Sequence, residues 1–399
     1  MGTPREMTPA PTFCLIAGEP SGDRLGAALM AGLKEALNGQ VNFIGIGGPQ
    51  MADQGLQSLF PMEELSVMGI VEVLPKLVGL LARVRQSSDL ILNSAPTALI
   101  TIDSPDFCLR VAKKVKAARP DFPIIHYVAP SVWAWRPKRA VKMARYVDHV
   151  LALLPFEPPY MQEAGISCDF IGHPIATENV ASKAEIAAFR REIGVTDGQK
   201  LLTLLPGSRA SEIARLGPMF REVAQMLRKD MPELAIAIPA VGARVADLQQ
   251  IFTGMDVSIL DPRGLSTDIA EKQKRACYGA SMAALAASGT VSLELAAAGT
   301  PMVIAYKVHW LTAYLIRRTI KITTATLVNL VSETNVVPEF LQENCRAELI
   351  YPEIKTLLMS KSHADAQIVA SRDVMVQLGR GGDASGARAA KSVLNFLKA

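Results

Sequence analysis

The stretch 13-FCLIAGEPSGDRLGAALMAGLKEAL-37 decides the fold class. Phe13–Ala17 is an apolar run of strand length, and Gly18-Glu19-Pro20-Ser21-Gly22-Asp23 reads as a polar turn. Leu25, Leu29, Leu33 and Leu37 then recur at helical spacing. Strand, polar turn and amphipathic helix in that order make a βα unit. Repetition of such units builds a parallel sheet covered by helices.

The same unit recurs to about residue 308. Strands are predicted at Phe13–Ala17, Val41–Ile46, Ala98–Ile102, Ile124–Val128, Val150–Leu154 and Phe170–Ile171. A second series follows at Leu201–Leu205, Leu234–Ile238, Val257–Leu260, Met282–Ala287 and Met302–Tyr306. Most carry Val, Ile or Leu in succession, as strands buried on both faces do. Between the series, Thr177–Lys200 is polar and charged and ends in Val195-Thr196-Asp197-Gly198, which reads as a hinge. The chain therefore divides into a Rossmann-like half at 12–176, a second at 177–365 and C-terminal helices at 366–399. Those helices pack back on the first half or on a second copy of the chain. Gly379-Arg380-Gly381-Gly382 breaks the region before a last helix near Ala384–Leu397. No short-period repeat is present, which excludes a solenoid.

Composition narrows the function classes. The 399 residues include 42 Lys+Arg and 38 Asp+Glu, a formal net charge of +4. That is too small a surplus to imply nucleic acid, so any basic site is local. With 49% hydrophobic and 20% charged residues the chain is not disordered. A mean hydropathy of +0.21 points toward contact with lipid. Cys14, Cys108, Cys168, Cys277 and Cys345 are scattered and form no CxxC pair, against a disulfide scaffold or zinc ribbon. Residues 1–12 lack a signal-peptide core, and Glu6 stands where a myristoylation signal needs Ser or Thr. Ala276–Leu293 is uncharged, but its Ala, Ser, Gly and Thr content and the following Glu294 favour a buried strand, turn and helix over a membrane span. The expectation is a cytoplasmic protein.

Nearly every unusual polar cluster follows a predicted strand, where open α/β sheets bind ligands. The clusters are Gly18–Asp23, Asp103-Ser104-Pro105-Asp106, Pro130-Ser131-Val132-Trp133-Ala134-Trp135, Gly172-His173-Pro174, Pro206-Gly207-Ser208-Arg209 and Ser288-Gly289-Thr290. Two sheets with such edges predict an interdomain cleft. Dinucleotide and P-loop fingerprints fail: Gln50 replaces the third glycine after Gly45 and Gly47, and Gly18–Asp23 lacks the P-loop lysine.

Gly207-Ser208-Arg209 suits an anion, because glycine admits a ligand to the backbone and Arg offers a bidentate fork. An ordinary βα turn with a solvated Arg fits the same letters. Ser288-Gly289-Thr290 opens a helix and fits either a cap or a phosphate contact. Glu294 lies one turn into an otherwise apolar helix, where an unpaired carboxylate is costly; ribose hydroxyls would satisfy it. Asp103 ends a strand, where a carboxylate can serve as general base, although Asp-Ser-Pro is also good turn chemistry. Glu19 shares its loop with the helix-cap candidates Ser21 and Asp23. His126 reads as a core histidine and His173 as a ligand contact. No metal-ligand spacing or GxSxG elbow appears, so no metal or cofactor is expected.

Two segments bear on lipid. Leu65–Leu81, with Val67, Met68 and Ile70, is apolar all round and fits either a core helix or one dipping into a bilayer. Trp133, Trp135, Arg136, Lys138, Arg139, Lys142 and Arg145 fit a solvated basic helix or an anionic headgroup site. Trp310, Arg317, Arg318 and Lys321 repeat the theme.

In order along the chain, Gly18–Asp23, Asp103–Phe107, His126-Tyr127-Val128-Ala129-Pro130-Ser131-Val132-Trp133-Ala134-Trp135, Gly172-His173-Pro174, Leu205–Arg209 and Ser288-Gly289-Thr290 with Glu294 resemble the lipid-A-disaccharide synthase family. The resemblance spans about Phe13 to residue 360. The His126–Trp135 run is its most specific part, whereas the Gly-Ser-Arg and Ser-Gly-Thr elements are shared by many glycosyltransferases. Pro20 stands where the family more often has Ala, and residues 1–12 have no family counterpart.

The resemblance implies a GT-B α/β architecture of two Rossmann-like doubly wound parallel-sheet domains with a helical C-terminal region. It implies inverting transfer of 2,3-diacylglucosamine from its UDP conjugate to the 6-hydroxyl of 2,3-diacylglucosamine 1-phosphate. The protein would then lie peripherally on the cytoplasmic face of the inner membrane. Carried over by position, Asp103 is the base candidate and Glu19 an acceptor-side or structural acid. Gly207, Ser208, Arg209, Ser288, Gly289, Thr290, Glu294 and Asn329 fall on the UDP-sugar side. Val67, Met68, Ile70, Trp133, Trp135 and Arg136 fall on the acceptor and membrane side. Oligomeric state stays open. Rival readings are another GT-B glycosyltransferase, a UDP-sugar 2-epimerase and, more distantly, a two-domain solute-binding protein.

Overall fold

The structure, a computed structural model, describes residues 10–65, 70–134, 138–308 and 324–398, with backbone only over 70–78. Contacts divide the chain into two compact units, Met1–Thr177 with Gly381–Ala399, and Glu178–Arg380.

The first unit is built on β1 (Thr12–Ala17), β2 (Asn42–Ile46), β3 (Ala98–Ile102), β4 (Ile124–Tyr127), β5 (His149–Ala152) and β6 (Ser167–Phe170). They form one parallel sheet in the order β2-β1-β3-β4-β5-β6. Its helices are α1 (Pro20–Ala36), α2 (Pro49–Asp53), α3 (Ile70–Ser94), α4 (Pro105–Ala118), α5 (Lys138–Met143) and α6 (Pro158–Glu163). The chain winds one way from β1 to β2 and the other way from β3 onward. Right-handed crossovers then put α1 on one face and α3 to α6 on the other. Leu29 and Leu33 of α1 are fully buried, each worth about 1.5–3 kcal/mol.

The second unit repeats the plan. After α7 (Lys183–Glu192) come β7 (Leu201–Leu205), α8 (Ala210–Asp230), β8 (Ala235–Pro239), α9 (Val245–Ile251) and β9 (Ser258–Leu260). Then follow α10 (Thr267–Ala280), β10 (Ala283–Ala287), α11 (Val291–Ala298), β11 (Met302–Tyr306), α12 (Leu327–Ser332) and β12 (Glu339–Leu341). The sheet order is β12-β11-β10-β7-β8-β9. Three C-terminal helices complete the chain: α13 (Ala347–Met359), α14 (Lys361–Gln377) and α15 (Ser385–Phe396).

Winding of this kind leaves part of one face of each sheet bare, and the C-terminal helices fill those places. In the first unit α15 packs on α1 and over β5. His149 of β5 pairs its Nε2 with Ser392 Oγ at 2.8 Å and stacks on Phe396, and Ser392 Oγ donates to Asp169 at 2.6 Å. In the second unit α13 packs beside α8 and over β10 and β11.

Three expectations about organisation change. The stretch read as a hinge carries helix α7: a Ser182–Glu185 capping box starts it, Phe189 is buried, and it packs on α10 inside the second unit. Helix α14 runs through 365/366, and its Gln367 Oε1 accepts from the Met302 amide at 2.8 Å, so the second unit continues to Arg380. Strand β12, three residues beginning with an acid, pairs with β11 and is absent from the predicted strands. All five cysteines are buried and outside any disulfide. Ala276–Leu293 forms the end of α10, β10 and the start of α11. Among the described residues no helix is long and apolar enough to cross a membrane.

Candidate functional site

The described candidates of the first unit, Glu19, Asp103 and Trp133, follow the carboxyl ends of β1, β3 and β4. Ala17 of β1 lies opposite Ile102 of β3, so the Gly18-Glu19 and Asp103-Ser104 loops adjoin. A Cβ on Gly18 would come within 2.5 Å of Ser104 Oγ, which explains the glycine. Asp103, Ser104 and Val128 adopt φ of +49°, +40° and +81°. Left-handed backbone costs a non-glycine residue about 1–2 kcal/mol. Strain of this sort concentrates where side chains must be aimed.

Asp103 is half-buried, and its amide donates to the Tyr127 carbonyl at 3.0 Å. Burial raises its carboxyl above the usual range, and a bond from the Ser104 backbone only partly offsets this. A carboxylate shifted upward is better matched to proton abstraction near neutrality. Glu19 is half-buried, and its carbonyl accepts from the Asp23 amide at 2.9 Å at the start of α1. Asp23 is structural: its buried carboxylate accepts from the amides of Gly48, Gln50 and Met51 and so caps α2. His173 Nδ1 accepts from the Ile175 amide at 3.2 Å. Burial, with the charge of Arg24, lowers His173 to about 4, so it is a neutral imidazole with Nε2–H. His126 is a satisfied core residue, 2.8 Å from Thr101 Oγ1.

Sequence reasoning missed Glu157. It is buried at the end of β5 and accepts from the amides of Leu153 and Leu154 at 3.1 and 3.0 Å. Trp133 Nε1 donates to it at 3.3 Å, and the Trp133 ring meets Phe156 edge-on. Burial pushes Glu157 up to about 7. Trp133 thus braces its loop rather than presenting a bare aromatic face. The signal in the letters was an acid wedged between Phe156 and Pro158 just past a strand. Val67, Met68, Trp135 and Arg136 lie outside the described residues, as do Trp310, Arg317, Arg318 and Lys321. Ile70 begins α3, and its side chain lies outside them too.

The second unit brings its predicted residues to the corresponding edge of its own sheet. Gly207 has φ of +121°, and a Cβ there would lie 2.6 Å from Glu212 Cβ. Glu212 Oε2 accepts from the amides of Ser208 and Arg209 at 3.1 and 3.3 Å, and Arg209 Nη1 donates to Oε1 at 2.9 Å. The turn is therefore held by its own carboxylate. The Arg209 side chain remains 61% exposed, free to reach solvent-borne ligands. At the end of β11, Tyr306 is raised by burial and by Glu212, with Arg209 and Arg215 opposing.

Beside it, Ser288 Oγ donates to the Ala325 carbonyl at 3.0 Å, and Gly289 and Thr290 lead into α11. Glu294 is not unpaired, as its surroundings in the sequence implied. Lys274 Nζ of α10 lies 3.3 Å from Glu294 Oε2, and the Tyr278 hydroxyl bonds to the same carboxylate. Burial alone would lower the Lys274 ammonium, but Glu294 and Glu271 outweigh it and raise it. Asn329 is buried and committed to the fold: Nδ2 donates to the Val337 carbonyl at 2.9 Å, and Oδ1 accepts from its amide at 3.0 Å. Among the described residues no group of three or more His, Cys, Asp or Glu could hold a metal ion.

Comparisons with known proteins identify the family and the fold. A family model described as lipid-A-disaccharide synthetase matches residues 13–393. A lipid-A-disaccharide synthase of Ruegeria pomeroyi is 52% identical over 98% of this chain and 99% of its own length. The enzyme of that name from Rhodospirillum centenum is 44% identical over 96% of this chain and 94% of its own. Among solved structures, a Neisseria meningitidis UDP-GlcNAc 2-epimerase bound to UDP-GlcNAc has a TM-score of 0.62 at 10% identity, covering 97% of this chain and 99% of that one. A glycosyltransferase from Rickettsia africae has a TM-score of 0.58 at 12% identity, covering 97% of each chain. At such identities the two structures share the GT-B fold and nothing finer.

Proposed function

The chain belongs to the lipid-A-disaccharide synthetase family of glycosyltransferases, and from that premise we propose that it transfers 2,3-diacylglucosamine from UDP to the 6-hydroxyl of 2,3-diacylglucosamine 1-phosphate with inversion. The products are UDP and a β-1,6-linked disaccharide 1-phosphate. The observation that carries this reading is the strained Asp103-Ser104 turn, which holds a desolvated carboxylate at a strand end.

In an inverting displacement the acceptor hydroxyl attacks the anomeric carbon as the bond to UDP breaks. Asp103 takes the hydroxyl proton, and Glu19 on the adjoining loop orients the acceptor. The departing diphosphate needs positive charge and N–H donors, and Arg209, the Gly207-Ser208 turn and Ser288-Gly289-Thr290 supply them. A single well-aimed donor is worth about 3 kcal/mol in the transition state. Glu294 contacts the ribose by exchanging part of its bonding to Lys274 and Tyr278. Asn329 supports the donor side by fixing the segment through Val337. Both substrates carry acyl chains, and with a mean hydropathy of +0.21 this favours peripheral attachment to the inner membrane through Val67, Met68, Ile70, Trp135 and Arg136.

The test is UDP release from diacylated UDP-glucosamine, with and without the monosaccharide 1-phosphate. Release that depends on the acceptor supports the reading. An epimerised UDP-sugar formed without any acceptor would sink it.

A further inference from the structure

A cavity of about 450 Å³ opens on the first unit, lined by Lys113, Lys116 and Ala117 of α4 and by Lys142, Arg145 and Tyr146 at the end of α5. We propose that this cavity is a binding site for a small phosphate-bearing anion, separate from the strand edge that carries Asp103.

Position comes first. Helix α4 starts beside Asp103 and runs back along the sheet, so Lys113–Ala117 are its last turns before β4. Lys142–Tyr146 likewise precede β5. Asp148 marks the place: its Oδ2 accepts from the amide of Ile124, the first residue of β4, and its Oδ1 pairs with Lys116 at 2.9 Å. The cavity therefore lies toward the amino ends of the strands, at the opposite edge from Asp103.

Charge comes second. Lys116 is satisfied by Asp148 and by the Pro120 carbonyl. Lys113, Lys142 and Arg145 are exposed and form no ion pair among the described residues. Lys113 and Lys116 lie three residues apart on α4, a helical spacing at which like charges repel, and Lys142 on α5 and Arg145 in the turn after it bring two more cations to the same place. Attraction to a helix C-terminus makes one such cation favourable. It does not require two helices to aim theirs into one concavity. Three uncompensated cations match a phosphate dianion or a diphosphate, for which Arg supplies a fork and Lys a point charge. Tyr146, half-buried beside them, adds a neutral hydroxyl. The volume falls in the range for small organic ligands, so there is room for a headgroup or sugar beyond the phosphate.

The site stands independently of glycosyl transfer, and its test avoids the sugar substrates. The full chain carrying Arg209→Ala, which silences the Gly207-Ser208-Arg209 turn as a rival phosphate site, is titrated calorimetrically with pyrophosphate at low ionic strength. Adding Lys113→Gln, Lys142→Gln and Arg145→Gln should weaken binding about tenfold or more. Adding Lys183→Gln, Lys229→Gln and Lys361→Gln, the same charge loss at exposed positions elsewhere, should change it less than about twofold.

A parallel arm floats both triple variants with phosphatidylcholine vesicles with and without phosphatidylglycerol. Loss of anionic-vesicle binding only in the cavity variant identifies a lipid headgroup as the source of the phosphate. Pyrophosphate dependence without vesicle dependence identifies a soluble phosphate. Identical behaviour of the two triples in both arms overturns the site. The charge reversal Lys142→Glu serves as a second variant, and thermal midpoints confirm that each is folded.

Discussion

The two sheet edges treat their acids in opposite ways. In the first unit Asp103 and Glu157 are desolvated and held by backbone or indole N–H groups, and both are shifted upward. In the second unit Glu212 is bonded to Arg209 and Glu294 is bonded to Lys274. The turns differ in the same sense. The first edge places Asp103, Ser104 and Val128 in left-handed backbone, whereas at the second the turn after β7 runs through Gly207 and Gln342 is left-handed after β12. A base must be uncomfortable as an anion, and strain and desolvation both serve that end. A leaving-group site must be ordered before the charge arrives, and paired acids with glycine turns give that order.

The sharpest way to break the comparison is to neutralise the first edge. Asp103→Asn keeps shape and burial, so the fold should persist while kcat falls about 10²–10⁴-fold. Acceptor-dependent UDP release measures the rate and a thermal melt checks the fold. The acid limb of the wild-type kcat/KM profile should also lie above the ordinary carboxylate range, because the base must be ionised and its pKa is raised. Full activity in the variant would transfer the role to Glu19 or end the reading.

Neutralising the second edge should cost less. Arg209→Ala removes one charged donor among several and is expected to lower kcat/KM about 10²–10³-fold. Its measure is the same assay over a range of donor concentration. Arg209→Lys should recover only part of the loss, since a point charge cannot fork across two phosphate oxygens. If Arg209→Ala cost more than Asp103→Asn, the division of labour between the edges would be reversed.

Much of this was legible in the letters, and the gaps have physical causes. Strands such as Ala98–Ile102 and Leu201–Leu205 match residue for residue, because strands covered on both faces read as nearly continuous apolar runs. Strand β12 escaped notice because three residues held only by β11 need no such run. Glu212 stands three positions beyond Arg209, so its pairing is local in the letters. The partner of Glu294 was not, because Lys274 sits on a different helix and only the fold brings them together. Glu157 has the same history: nothing local announces that Trp133 will reach it.

Glu157 gives a pH test of the first edge. Its carboxyl, ordinarily near 4.5, is pushed up to about 7 in the fold by burial. The folded state therefore holds the proton more tightly than the unfolded chain. The stability linked to this group is present below about 4.5 and lost as pH rises through about 7, with a magnitude of order 1–3 kcal/mol. His126, His149 and His173 are lowered by burial and act with the opposite sign, losing stability as pH falls below about 6.5. Urea midpoints from pH 5 to 8 should separate them. Glu157→Gln should remove the decline toward neutral pH and leave the acid-side loss in place. An unchanged profile would mean that Glu157 is solvated, and the contrast between the edges would then rest on Asp103 alone.

The smallest effects come from exchanging the backbone devices of the two edges. Gly207→Ala forces an alanine to φ of +121° with its Cβ 2.6 Å from Glu212 Cβ, so the turn must shift, at about 1–3 kcal/mol. Ser104→Gly does the reverse. It relieves a φ of +40° and deletes a hydroxyl that is buried without a partner. Those gains are offset by about 0.5–1 kcal/mol of backbone entropy that glycine loses on folding. The net change should be neutral or stabilising by less than about 1 kcal/mol, while activity falls because the turn no longer fixes Asp103. Stability without activity at Ser104 and loss of both at Gly207 is the expected pair of results, read by denaturant midpoints and UDP release. A destabilised but fully active Ser104→Gly protein would show that the left-handed turn serves the fold, and the strain at the first edge would then say nothing about catalysis.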